Sequence, residues 1–210
     1  MEKSQSRLVI AIATAALLWF YMFSPWTGKL SNFWLNMSIS AVILTSMALV
    51  WSETKLKKFT AKNAAIQIVI GIAIAFGLWG IFWIGDFLSQ ILFSFARGQV
   101  DSVYAMKDGS NPRIIALLLL FLIGPAEEFF WRGYVQKTMS VKFGANVALV
   151  ATTLIYTLVH IWSFNFMLVM AAFVAGFVWG LIYRFKPSLL PATIISHSIW
   201  DALVFVILPI

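Results

Sequence analysis

Two adjacent carboxylates, Glu127 and Glu128, and a guanidinium, Arg132, stand in the stretch Gly124-Pro125-Ala126-Glu127-Glu128-Phe129-Phe130-Trp131-Arg132. The run before it, Ile114 to Ile123, is entirely apolar. A charge at the centre of a membrane helix costs roughly 2.5–3.5 kcal/mol on insertion scales, so three charges this close together need a use. Glu128 and Arg132 are spaced i, i+4 in the favourable acid-before-base order, and can partly neutralise one another. Glu127 projects about 100° round the helix, outside that pair. A carboxylate left spare in a low-dielectric site suits a general base or acid.

Three further titratable side chains fall inside apolar segments: His160, His197 and Asp201. The two histidines are all the chain has. His197 and Asp201 are i, i+4, so Asp201 is placed to orient or charge-stabilise the imidazole. Tyr156 and His160 have the same spacing. Polar faces inside lipid must turn inward, and the simplest packing gathers three helices round one polar pocket. Each feature also has a structural reading. His160 alone suits a satisfied core residue, and Glu128–Arg132 and His197–Asp201 suit ion pairs that lock helices together. Those readings weaken jointly, because Glu127, His160 and His197 would then be unrelated accidents on three helices.

The elements that must position these groups read as membrane spans. The 210 residues are 61% hydrophobic and 11% charged, whereas soluble domains carry about 25% charged residues. The 10 Trp and 19 Phe fit aromatic interface belts. Without cysteine there is neither a disulfide framework nor a thiol nucleophile. The net charge of +7 is read as loop lysines and arginines obeying the positive-inside rule, not as nucleic-acid binding.

The expected architecture is all-α: a polytopic bundle of about seven transmembrane helices plus one interfacial amphipathic helix, in a single membrane domain over 1–210. Residues 1–112 would hold three spans, about Leu8 to Phe23 (retained, not a cleaved leader), Phe33 to Trp51 and Ala64 to Ile84. The interfacial helix would follow at Asp86 to Arg97, then a polar loop from Gly98 to Pro112. Gly71, Gly77 and Gly80 would offer close contacts on the third span, and Gly176-x-x-x-Gly180 is a weak packing signal. Residues 113–210 would form a four-helix core: Arg113 to Met139, Ala145 to Trp162, Phe166 to Tyr183 and Leu189 to Leu208. Inside segments would carry Lys3, Arg7, Lys55, Lys57, Lys58, Lys62, Lys137, Lys142, Arg184 and Lys186. Outside segments would carry only Lys29, Arg97, Lys107 and Arg113. This bias predicts a multi-pass protein of the cell membrane with a cytoplasmic N-terminus and an outside C-terminus.

The motifs Glu127-Glu128-x-x-x-Arg132, Tyr156-x-x-x-His160 and His197-x-x-x-Asp201, in that order and each on its own helix, resemble the CAAX protease and bacteriocin-processing (CPBP, or Abi) family of intramembrane proteases. The resemblance covers roughly Ile114 to Leu208. Tyr156 stands where Phe is commoner, and Asp201 where Asn often stands. The resemblance implies an intramembrane endopeptidase acting on a membrane-associated protein or peptide. Glu127 would activate water and His160 would hold it. His197 and Asp201 would stabilise the oxyanion, and Glu128, Arg132 and Tyr156 would support the site. An ionised Asp201 repels an oxyanion, so its expected action is through His197.

No cofactor is favoured. Two His and one Glu make a legitimate zinc set, which leaves a zinc-dependent version open, but no His-Glu-x-x-His spacing exists. Other expectations to weigh are a non-catalytic binding or bacteriocin-immunity scaffold, and a proton-relaying transporter, which would show an inverted repeat that the sequence lacks. One geometric conflict is visible. Glu127 lies about 22 Å from the outer end of its span, and His160 about 22 Å from the inner end of the next. The expected resolution is a fifth helix that begins deep in the membrane, with a pocket open toward the cytoplasm.

Overall fold

The computed structural model describes residues 2–52 and 61–210, with side chains described for 4–52 and 63–210. The basic cluster Lys55, Lys57, Lys58 and Lys62 expected after the second span therefore lies outside the described side chains, as does Lys3. The described residues are predominantly helical, joined by short turns and without strands. Seven helices are long and apolar enough to cross a membrane. We number the helices α1 (Glu2–Phe23), α2 (Phe33–Trp51), α3 (Ala61–Leu92), α4 (Ala96–Tyr104), α5 (Pro112–Phe143), α6 (Ala145–Val159), α7 (Phe166–Phe185) and α8 (Leu190–Ala202). A π-helical turn, Leu203–Ile207, extends α8. All but the short α4 belong to the candidate spans.

Local chemistry sets the helix starts. The side chains of Asn32, Asn111 and Asn165 each accept from a backbone N–H of the following first turn, those of Leu35, Arg113 and Leu168. This satisfies one of the orphan donors at each N-terminus. Pro112 follows Asn111 in the first turn of α5, where its missing N–H costs nothing. Gly144, at φ 82°, turns α5 directly back into α6. A side chain rarely adopts that backbone region, so the reversal is compact because the residue is glycine.

The interfacial helix expected at Asp86 to Arg97 does not form. Asp86 to Leu92 are the last turns of α3, which runs for 32 residues, and the chain bends at Phe93–Phe95. The expected polar loop is likewise largely helical, because Arg97 and Asp101 close an i, i+4 pair at 2.7 Å on α4. Arg97 also approaches Asp86 at 3.8 Å, so the polar residues read as an interfacial stripe instead tie α4 to the end of α3.

The most deeply buried side chains mix large aromatic groups with charged and polar ones. Trp19, Trp131, Trp179, Phe130, Glu128, Arg132 and Gln136 are among the most deeply buried side chains, while long apolar stretches of α3 remain exposed. That is the pattern lipid imposes, since apolar side chains gain little by leaving it. α3 packs along α8, and α6 along α7. Of the three glycines expected to give close contacts on α3, only Gly71 does: a Cβ there would meet Ala192 O and Ile195 at 2.8 Å, while Gly77 and Gly80 have open space.

The conflict of heights disappears because α5 is longer than its sequence pattern indicated. It runs to Phe143 and reverses at Gly144. Glu127 lies 17 residues before that turn and His160 lies 16 after it, about 25 Å and 24 Å along their helices. The two are level. The fifth span needs no deep start, because both heights are measured from one shared turn.

Candidate active site

The Glu-Glu stretch sits on α5 between two π-helical turns, Leu119–Ile123 and Trp131–Gln136. The first has a local cause. Pro125 has no N–H to give to the preceding turn, and the Gly124 N–H reaches back to Leu119 O. Such turns re-aim the side chains that follow and occur often at functional sites. Gly124 permits the next step: a Cβ there would meet Ser198 Cα at 2.7 Å. The backbone of α8 therefore lies against that of α5, one residue beyond His197.

Glu128 and Arg132 form the expected pair, with Arg132 Nη1 donating to Glu128 Oε1 at 2.6 Å and both side chains almost fully buried. The pair has more partners than its spacing revealed. Arg132 Nη2 donates to Gly176 O at 2.8 Å, and Gln136 Nε2 donates to Gly180 O at 2.9 Å. Two donors spaced i, i+4 on α5 thus meet two carbonyls spaced i, i+4 on α7. The glycines matter because a Cβ at Gly176 would meet the Tyr156 ring at 2.7 Å. The Gly176-x-x-x-Gly180 signal, weak in isolation, matches the Arg132-x-x-x-Gln136 spacing. That match was available in the sequence.

His197 Nδ1 donates to the same Glu128 Oε1 at 3.0 Å. Its Nε2 stands 3.5 Å from Asp201 Oδ2, an ion-pair distance without a hydrogen bond. The nearer carboxylate partner of His197 is Glu128, three helices away in sequence, and Asp201 is the more distant one. The imidazole lies flat on Trp179, with centroids 3.9 Å apart and planes at 17°. Trp179 is itself held by donating to Ser196 Oγ.

Tyr156 donates to Glu127 Oε2 at 3.0 Å, which fixes one oxygen of that carboxylate. His160 ends α6. Its N–H bonds to Thr157 O in a tighter turn, and its ring Nδ1 takes up the Tyr156 carbonyl at 2.7 Å in place of that N–H. Trp19, on α1, donates to His160 Nε2 at 3.1 Å. Nothing in the sequence pattern pointed to Trp19, which sits in an ordinary apolar span.

A cavity of about 500 Å³ brings these groups together. Glu127, Tyr156, His160, His197 and Asp201 all line it, from α5, α6 and α8. Glu128 and Arg132 lie behind its wall. The remaining lining is predominantly apolar and includes Phe33, Phe82, Tyr104 and Phe205. The cavity lies toward the ends where α1, α3, α6 and α8 finish and where α2, α5 and α7 begin. This is the half of the bundle remote from the N-terminus. With a cytoplasmic N-terminus it is the outer half, so the expected cytoplasmic opening does not accompany the expected orientation.

A zinc set does not fit the donors as they stand. Among the described residues no three His, Cys, Asp or Glu side chains are grouped so as to hold a metal ion. Both ring nitrogens of His160 are engaged by protein partners.

Residues 109–203 match the family model of Rce1-like type II CAAX prenyl endopeptidases. No curated protein and no solved structure matches the chain.

Proposed function

We propose, from the match of residues 109–203 to the Rce1-like family model and the seven candidate spans, that the chain is a multi-pass membrane protease in which Glu127 is the general base activating the hydrolytic water. The observation that carries this reading is the shared cavity, lined from three helices by Glu127, Tyr156, His160, His197 and Asp201. Because Tyr156 holds Oε2, Oε1 is the oxygen left to take the proton. His160, level with Glu127, holds the water from the other side through Nε2. In the described structure Trp19 occupies that nitrogen.

His197 supplies the oxyanion side. With Nδ1–H given to Glu128, a protonated His197 carries a second N–H at Nε2, which can be donated to the developing oxyanion while Asp201, 3.5 Å away, balances the imidazolium charge. Preorganised donors of this kind are worth about 2.7–4 kcal/mol each in hydrolases. Asp201 acts on the oxyanion only through the charge of His197, as a secondary partner beside Glu128. Arg132 neutralises Glu128, so the donor is backed by a buried charge pair rather than a lone carboxylate.

The predominantly apolar cavity wall supports, as substrate, a membrane-associated protein or peptide presenting an apolar segment next to the scissile bond. A prenylated C-terminus, the substrate named for the matching family, fits the same wall. The orientation we propose keeps the N-terminus cytoplasmic, on the lysine and arginine bias of the loops. The cavity then faces the outer half of the membrane.

The test is cleavage of quenched-fluorescence apolar decapeptides in liposomes, with and without a farnesyl thioether on a cysteine four residues from the C-terminus. Wild type, Glu127→Ala and Glu127→Gln are compared, with a chelator arm. Loss of cleavage in both variants and indifference to chelator are expected. Equal cleavage by all three forms would sink the role of Glu127, and chelator sensitivity restored by zinc would replace it with a metal-bound water.

A further inference from the structure

The His160 ring can be assigned one protonation state from its partners. A backbone carbonyl only accepts, so the nitrogen 2.7 Å from Tyr156 O carries the hydrogen. An indole N–H only donates, so Nε2, 3.1 Å from Trp19 Nε1, presents its lone pair. The ring is therefore a neutral imidazole with Nδ1–H, and it has a single acceptor site. Trp19 fills it.

Two contributions of Trp19 can be separated. It is not needed to fix the tautomer, because the shorter Tyr156 carbonyl contact does that alone. Nor is it needed to hold the ring plane, which is flanked by Tyr156 at 5.1 Å and Phe23 at 5.5 Å between centroids. What only Trp19 does is occupy the lone pair. A water accepted by Nε2 and the Trp19 N–H compete for one orbital, and they cannot both have it with good geometry.

We propose that Trp19 is a latch on His160, contributed by the first span from outside the matched domain: its indole N–H caps Nε2 while the cavity lacks substrate and yields it to the hydrolytic water when substrate enters. The route for this coupling is short. Phe23, one helical turn beyond Trp19, lines the cavity and touches the His160 ring. An apolar segment entering beside Phe23 bears on the same face of α1 that carries Trp19. Trp19 also packs edge-on against Trp131, at 6.3 Å between centroids, so a small tilt of α1 breaks the hydrogen bond without exposing the indole. A 3.1 Å bond is lost with less than 1 Å of added separation.

The proposal rests on His160 holding the water, and the experiment keeps the two apart. Full-length Trp19→Phe, His160→Ala and wild type are compared in liposomes on the decapeptides above. Phe keeps an aromatic ring in the packing and removes the donor together with part of the indole's volume. The latch predicts that Trp19→Phe raises kcat about two- to tenfold with KM unchanged, while His160→Ala abolishes cleavage. A kcat equal to or below wild type in a Trp19→Phe protein with a wild-type melting profile overturns the latch. Full cleavage by His160→Ala overturns the underlying reading instead.

A second measurement does not depend on any change at Trp19. In protein labelled with ¹⁵N at Trp and His, a coupling through the indole N–H···N imidazole bond is expected in the free state. It should vanish when an uncleaved decapeptide saturates Glu127→Gln. Persistence of that coupling in the bound state overturns the latch even if Trp19→Phe fails to fold.

Discussion

The third span and the last span show how differently lipid treats two apolar helices. α3 is the more apolar, yet only 17% of its most apolar window is buried. The span ending in Ile207, less apolar, has 56% of its window buried. In water that order would be reversed. In a bilayer the chain gains little by hiding Ile68, Val69 or Trp83, which are exposed, but gains much by hiding His197, Asp201 and Ser196 among partners. The N-terminal half supplies a wall, and the C-terminal half supplies the buried polar system. Trp19 is the exception: a residue of the wall bonded to the site.

If the polar system of the C-terminal half is catalytic, Glu127→Gln should cause the largest loss. Cleavage is expected to fall about 10²–10⁴-fold, with the fold intact by thermal melting, because an amide still accepts from Tyr156. A variant that cleaves at the wild-type rate would reduce that half to structural polarity.

Glu128→Ala comes next. It strands a buried Arg132 and deprives His197 of its 3.0 Å partner. Breaking such a pair costs about 3–5 kcal/mol, visible as a large drop in melting temperature in detergent. Pairing it with Arg132→Met should restore much of the stability and none of the activity.

The wall can be probed by its glycines. Gly71→Ala should destabilise by about 1–3 kcal/mol, since its Cβ would collide with Ala192 O and Ile195. Gly77→Ala, six residues along the same helix and facing open space, should stay within about 0.5 kcal/mol. Equal effects at the two positions would mean that α3 does not pack on α8 as described.

Two smaller effects sharpen the roles within the site. Tyr156→Phe removes the hydrogen bond to Glu127 Oε2 and keeps the ring under Arg132. A net loss of about 1 kcal/mol, roughly fivefold in kcat, is expected at unchanged KM. Asp201→Asn should cost least, within about threefold, because Glu128 rather than Asp201 is the hydrogen-bonded partner of His197 and Asp201 contributes only the charge of a 3.5 Å contact. A thousandfold loss there would return Asp201 to the centre of the mechanism.

Helix class, span count and the grouping of Glu127, Tyr156, His160, His197 and Asp201 in one cavity were legible in advance, for a physical reason. A titratable group inside an apolar run is costly enough that its position carries information. The fate of Asp86 to Arg97 was not legible. The same three- and four-residue polar spacing suits a helix lying at the interface and a helix end tied to its neighbour, and only the Arg97 contacts with Asp86 and Asp101 distinguish them.

The sequence by itself determined that this chain spans a membrane, which side chains are expensive enough to need partners, and that i, i+4 neighbours such as Glu128 and Arg132 would meet. These follow from composition and from a helical period that each segment carries within itself. Tertiary structure alone decided that Glu128 also serves His197, that Gly176 and Gly180 lend their carbonyls to Arg132 and Gln136, and that an indole from the first span reaches His160. Those partners lie between 44 and 141 residues apart in the chain. No local pattern encodes such a distance, because which faces of two apolar helices meet depends on every other helix in the bundle.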